Sequence, residues 1–97
     1  MRVGMVYGPG KLGVEEVDMP VPTGDDVVIR VRAAGICGSD LHYHRGDGEP
    51  THRRAGGHEL SGEVSQIGPD VRHVSVGDRV GVEPLLGCGT CRFCRAG

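Results

Sequence analysis

A mainly β, barrel-like domain with short helical turns is what this sequence predicts. Three observations lead there. The 97 residues include eighteen glycines and six prolines, a composition that turns often and does not sustain long helices. Apolar and polar residues alternate over short runs, the period of a half-buried strand. About seven such runs follow one another with turn residues every few positions, as in small barrels.

Residues 2–7 read as a first strand, with Val3 and Met5 on one face. Gly8-Pro9-Gly10-Lys11-Leu12-Gly13 then spells G-x-G-x-x-G. That dinucleotide fingerprint works only where the last glycine opens a helix. Here strand-like residues and then Pro20 and Pro22 follow, and prolines break a helix. The expectation is a β-turn between two strands. Residues 23–26 form another turn. Residues 27–33 are the clearest strand, with Val27, Ile29, Val31 and Ala33 on one face, and they run directly towards Cys37. Ser39 is expected to cap a helical turn over residues 40–45. Residues 46–57 read as an irregular loop. A strand over residues 60–67 has an imperfect alternation, Leu60, Gly62, Val64 and Gln66 against Ser61, Glu63, Ser65 and Ile67. A short extended piece over 71–76 and a last strand over 79–86 complete the chain.

Composition bounds the function. Net charge is -2 and aromatics are scarce, with no Trp, one Phe and two Tyr. This offers neither a basic patch nor an aromatic platform for nucleic acid. No apolar run reaches the roughly 18 residues of a membrane span. The N-terminal residues lack the apolar segment of a signal peptide, so a cytoplasmic location is expected. In a reducing compartment, cysteines grouped with histidine point to metal rather than to disulfides.

Two constellations carry that chemistry. Cys37, His58 and Glu59 offer a thiolate, an imidazole and a carboxylate, the donors zinc accepts, and three protein ligands would leave a fourth position open for catalysis. Neighbours on a strand point to opposite faces, so Glu59 either reaches the ion from a strand start or tunes the site from behind the ligands. On spacing alone a cysteine and a histidine this far apart are a weak pair, since each is commonly a packing or surface residue. His42, one helical turn after Ser39, is placed to shuttle protons. His44, His52 and His73 sit in polar segments and read as solvated. The second constellation, Cys88-x-x-Cys91-x-x-Cys94, is the stronger signal: a repeated C-x-x-C step suits tetrahedral zinc, with a redox motif as the alternative. Three ligands are present where structural zinc takes four, and the sequence stops three residues after Cys94. The expectation is a domain over residues 1–97 truncated inside the zinc loop, with a fourth ligand beyond Gly97.

Taken together, Ala34-Gly35-Ile36-Cys37-Gly38-Ser39-Asp40-Leu41-His42, Gly57-His58-Glu59-Leu60-Ser61-Gly62-Glu63-Val64, Val76-Gly77-Asp78-Arg79-Val80 and the cysteine triplet resemble the zinc-dependent medium-chain alcohol dehydrogenases. The wording is nearest the sorbitol, butanediol and threonine dehydrogenases. The resemblance covers essentially the whole chain. It implies the N-terminal catalytic domain, a GroES-like, partly open β-barrel, without the nucleotide-binding Rossmann domain that follows in the family. It further implies catalytic zinc on Cys37 and His58, with Glu59 a ligand or near-ligand. Ser39 would accept the alcohol proton, and His42 would stand at the outer end of the proton relay. Structural zinc would sit on Cys88, Cys91 and Cys94, and NAD or NADP would bind through the missing domain. The implied parent oxidises a small alcohol or polyol to a ketone and assembles as a homo-oligomer, dimer or tetramer. Residues 1–97 alone would be inactive. The competing readings are a non-catalytic GroES-like zinc scaffold that binds a partner and a zinc-free reductase of the same superfamily.

Overall fold

The computed structural model describes residues 1–47, 54–85 and 87–96. His52, Leu86 and Gly97 lie outside the described residues, as does the middle of the expected loop over 46–57. The described elements run β1 (Arg2–Gly8), β2 (Lys11–Glu16), β3 (Val27–Gly35), α1 (Gly38–Arg45), β4 (Arg54–Ala55), β5 (Glu59–Ile67), β6 (Arg79–Gly81) and α2 (Arg92–Ala96). They form two three-stranded sheets, ordered β2-β1-β4 and β3-β5-β6. The protein is mainly β, and the two sheets do not close into a barrel.

β1 and β2 are an antiparallel hairpin whose ladder ends at Gly8 opposite Lys11. Pro9 and Gly10 make the turn, with Gly10 at φ +66°, a left-handed conformation glycine adopts without steric cost. The G-x-G-x-x-G run is therefore a hairpin turn between strands. The Gly10 N–H also donates to the His44 carbonyl at 2.9 Å, which ties the hairpin to the last turn of α1.

The second sheet carries the longest pairing, β3 against β5, with two irregularities in register. On β5, Ser65 is an extra residue between the Val28–Gln66 and Ile29–Val64 pairs. A bulge reverses the facing of every residue beyond it. This explains the imperfect alternation: Gly62 and Val64 are buried, yet Gln66 faces outward. The Ser65 hydroxyl donates to the Val28 carbonyl at 3.0 Å. At Gly62 the strands approach so closely that a Cβ would stand 2.3 Å from the Arg30 carbonyl oxygen. Backbone cannot yield as a side-chain tip can. Gly62→Ala is therefore expected to cost about 1–3 kcal/mol through overpacking, read as a lower urea midpoint with an unchanged slope.

Thr23 to Asp26 turn as expected. The Thr23 N–H and hydroxyl both donate to Asp26 Oδ2 at 3.0 Å, and these bonds hold the Asp26 carboxyl below the usual carboxylate range. Three expectations are corrected. The last strand covers Arg79–Gly81, because Pro84 lies beyond it and cannot donate to a ladder; a single further bond joins the Val82 N–H to the Leu60 carbonyl at 3.0 Å. Residues 71–76 form no ladder. Helix α1 begins earlier than expected and its N-cap is Cys37, not Ser39.

The core is thin. Among the described residues only Met5, Val64 and Val71 are buried apolar side chains, while Val21, Ile36 and Leu85 are each about four-fifths exposed. The radius of gyration, 15.5 Å, exceeds the about 13 Å of a compact chain of this length.

Candidate functional site

The β3·β5 ladder ends with Gly35 opposite Glu59. Two residues beyond Gly35 is Cys37, and one residue before Glu59 is His58. Register thus closes the sequence gap between the two. Gly57, at φ +86°, turns the chain into β5 and delivers His58 to the same end. The thiol of Cys37, a ring nitrogen of His58 and a carboxylate oxygen of Glu59 all lie within 4.8 Å of one another. Donors on one tetrahedral zinc with bonds of about 2.0–2.3 Å stand about 3.3–3.8 Å apart, so the three donors are near enough to converge on a single ion. Thiol, imidazole and carboxylate are also the donor types zinc accepts. Cys37 and His58 are half-buried and Glu59 is exposed, so the group faces outward from the end of the sheet.

Ser39 and Asp40, on the first turn of α1, both meet His58. Ser39, the second residue of the helix that Cys37 caps, reaches outward, with its Oγ 3.4 Å from His58 Nε2. Asp40 was not singled out from the sequence. Its Oδ2 accepts the Cys37 N–H at 2.9 Å, and its Oδ1 lies 3.6 Å from His58 Nδ1. One carboxylate thereby braces two members of the group, as outer-shell carboxylates do around metal-ligating histidines. The available signal was its position three residues after Cys37, where a helix-capping acid belongs. His42 lies one turn along the same helix but points elsewhere, its Nδ1 3.5 Å from Asp47 Oδ2 and largely exposed. His44 and His73 are exposed, as expected. Beside the group, a cavity of about 380 Å³ is lined by Met5, Gly35, Ile36, Asp40, Leu41 and Tyr43, among others.

Cys88, Cys91 and Cys94 also come together, all exposed. Cys94 Sγ is 3.8 Å from Cys88 Sγ and 3.5 Å from Cys91 Sγ. The edge of a zinc–thiolate tetrahedron with about 2.3 Å bonds is about 3.8 Å. The loop is folded by N–H···S bonds, from Cys91 to Cys88 Sγ at 3.3 Å and from Cys94 to Cys91 Sγ at 3.5 Å. The short helix α2 supplies Cys94, and Gly87 leaves room for it, since a Cβ there would stand 3.0 Å from Cys94 Sγ. The Thr90 hydroxyl, with the Cys91 N–H, lowers the Cys88 thiol from 9.0 to about 6. The Cys94 N–H lowers that of Cys91. Above pH 6 Cys88 is therefore mainly thiolate, and below it mainly thiol. In the metal-free chain at pH 7, iodoacetamide is expected to label Cys88 before Cys37, with labelling of Cys88 falling as pH drops through about 6; peptide mass mapping reads both.

Residues 23–97 match the family model of the alcohol dehydrogenase GroES-like domain. The chain belongs to the zinc-dependent medium-chain alcohol dehydrogenase family. This GroES-like domain is 45% identical over 95 residues to the probable zinc-binding alcohol dehydrogenase Rv1895 of Mycobacterium tuberculosis, covering 97% of the chain and 25% of that protein. It is 40% identical over 97 residues to sorbitol dehydrogenase of Bos taurus, covering 96% of the chain and 27% of the relative. Among solved structures, the alcohol dehydrogenase RspB of Escherichia coli CFT073, in complex with NADH, superposes with a TM-score of 0.88 at 36% identity, covering 99% of the chain and 28% of RspB. The GroES-like domain thus spans about a quarter of the length of these relatives. No helix among the described residues is long and apolar enough to cross a membrane.

Proposed function

We propose that this chain is the N-terminal catalytic domain of a longer zinc- and NAD(P)-dependent alcohol or polyol dehydrogenase that oxidises a secondary alcohol to a ketone. The observation that carries the reading is the meeting of Cys37, His58 and Glu59 within 4.8 Å, with the Ser39 hydroxyl against His58. Cys37, His58 and Glu59 would hold a zinc ion, which when bound would supply the Lewis acidity that makes an alcohol proton labile near neutral pH. Ser39 would accept that proton while releasing its own hydroxyl proton onward, and His42, exposed beside Asp47, would stand at the outer, solvent end of that route without touching Ser39 directly. Asp40 fixes the His58 ring and the Cys37 backbone, keeping the donors in register. The cavity beside Ile36, Leu41 and Tyr43 has the apolar walls to seat the carbon chain of a small alcohol. The sorbitol-oxidising relative and the NADH-bound neighbour support a polyol substrate and a nicotinamide cofactor. Cys88, Cys91 and Cys94 would supply three of the four ligands of a second, structural zinc.

In this reading the dinucleotide site belongs to the part of the parent outside these 97 residues. The parent is a cytoplasmic homo-oligomer, where its thiol clusters stay reduced. Two results test the proposal. The 97-residue chain turns over no alcohol with NAD or NADP. In the parent, Ser39→Ala lowers kcat by about 10²-fold while zinc content stays unchanged. Undiminished kcat in Ser39→Ala overturns the proton route, and alcohol turnover by the chain alone overturns the assignment of the dinucleotide site.

A further inference from the structure

We infer that Gly35 and the bulge at Arg32 together form a positioning device for the Glu59 carboxylate; the inference rests on the metal-site reading above. Two bulges interrupt the β3·β5 ladder. The Ser65 bulge shifts the register of the Ile29–Val64 to Val31–Gly62 pairs, and the Arg32 bulge restores it, so that Ala33 pairs with Ser61, Ala34 with Leu60 and Gly35 with Glu59. Without the bulge at Arg32, the earlier register would carry on and Glu59 would face Ala34. Directly opposed residues of an antiparallel pair project to the same face with Cβ atoms about 4.5–5.5 Å apart. The bulge therefore selects which residue shares a face with Glu59, and that residue has no side chain.

The space left at Gly35 is filled by Glu59 itself. A Cβ on Gly35 would stand 2.9 Å from Glu59 Oε2 and 3.5 Å from Glu59 Cβ. The carboxylate thus lies folded over the Gly35 backbone, at the end of the ladder where Cys37 and His58 converge. An alanine methyl at this position would displace the carboxylate tip. That tip is the free end of a flexible side chain, so the methyl is accommodated by moving Glu59 and not by breaking the strand pair. Bulges next to functional sites commonly re-aim a side chain in this way. The Arg32 side chain, meanwhile, crosses to β5 and pairs with Glu63 at 3.3 Å, on the exposed surface and away from Glu59. Gly35 is accordingly a positioning residue that acts through Glu59.

The test measures zinc affinity by chelator competition, and the absorption spectrum of the cobalt(II) form, for the chain and for Gly35→Ala, Glu59→Ala, the double variant and Cys37→Ala. Gly35→Ala is expected to weaken the Cys37 centre by about 10-fold or more and to alter its cobalt d–d bands, with circular dichroism and the cysteine-triplet site unchanged. The double variant is expected to bind no more weakly than Glu59→Ala alone. Wild-type affinity and spectrum in Gly35→Ala would overturn the inference, as would a further loss when Gly35→Ala is added to Glu59→Ala. Equal binding by Cys37→Ala and the unaltered chain would instead overturn the metal-site reading itself.

Discussion

Cys37→Ala in the full-length parent is expected to lower kcat/KM for alcohol oxidation by at least about 10²-fold, the scale of removing one preorganised electrostatic contact in an active site. Cys37 occupies two roles at once. Its thiol is one of the three donors gathered within 4.8 Å, and its backbone caps α1, with its N–H bonded to Asp40 Oδ2 at 2.9 Å. Alanine keeps that N–H and its bond to Asp40 but removes the sulfur, which also faces the N3 backbone in the capping box. Steady-state kinetics beside a circular dichroism spectrum therefore reads the loss of the metal donor against any fraying of α1. Activity retained with the fold intact would remove Cys37 from the mechanism. Asp40→Asn makes a useful contrast. It keeps a hydrogen-bond acceptor for Cys37 but weakens the charge facing His58, and a smaller loss is expected, in the 10–100-fold range of outer-shell partners.

Cys94→Ser is expected to have the largest effect on the second cluster. Cys94 Sγ lies within 3.8 Å of both other thiols, and α2, which carries it, has only five residues. A helix that short does not persist by itself in water. Small metal loops draw most of their folding free energy from the bound ion, with about 10 kcal/mol or more for structural zinc in peptide hosts. Serine retains the size of the thiol but is a far poorer zinc ligand. Zinc affinity of the cluster should fall by at least about 10³-fold, and amide exchange over Cys91 to Ala96 should become fast even in the presence of zinc. Slow exchange in Cys94→Ser with zinc present would mean that the loop is held by its N–H···S bonds rather than by metal. Binding also requires thiolates, so zinc uptake at this cluster weakens as pH falls through about 6, where Cys88 takes up its proton.

Strands and donors were legible in the sequence wherever the information was local. The alternation of Val3 and Met5 against Arg2 and Gly4 survives in β1, and the turns at Pro9-Gly10 and at Thr23 to Asp26 fall where their residues placed them. The expected face of β3 does not survive, since Val27, Val28 and Ile29 are alike half-buried while Val31 and Ala33 are exposed. What was not legible depended on partner strands. The bulges at Arg32 and Ser65 exist only because β3 and β5 pair, and they change which residues are inward without changing a letter of the pattern. β4, two residues long, carries no period of its own and forms against Met5 and Val6 of β1. The five residues of α2 likewise fall below any helical repeat. Apolar content overstated the core: Ile36 and Leu85 look like packing residues yet are about four-fifths exposed.

At the site, Cys37, His58 and Glu59 were visible as residue types, but only the Gly35–Glu59 register brings them together. Asp40 was missed because a single acid in a helical turn looks like a solvated residue. Its significance lies in reaching Cys37 and His58 simultaneously, which no linear spacing displays. Ser39 was assigned a cap because its residue type favours caps. In the fold its hydroxyl is directed to His58, and Cys37 and Asp40 close the helix end between them.

The most direct measurement is zinc stoichiometry per chain by elemental analysis after equilibrium dialysis, for the unaltered chain, Cys37→Ala and Cys94→Ser. Two independent centres predict about two zinc ions per chain for the unaltered protein and about one for each variant, with Cys37→Ala retaining the ion of the cysteine triplet. A single ion in the unaltered chain, lost in Cys94→Ser and kept in Cys37→Ala, would contradict the account and leave the domain a zinc-stabilised scaffold.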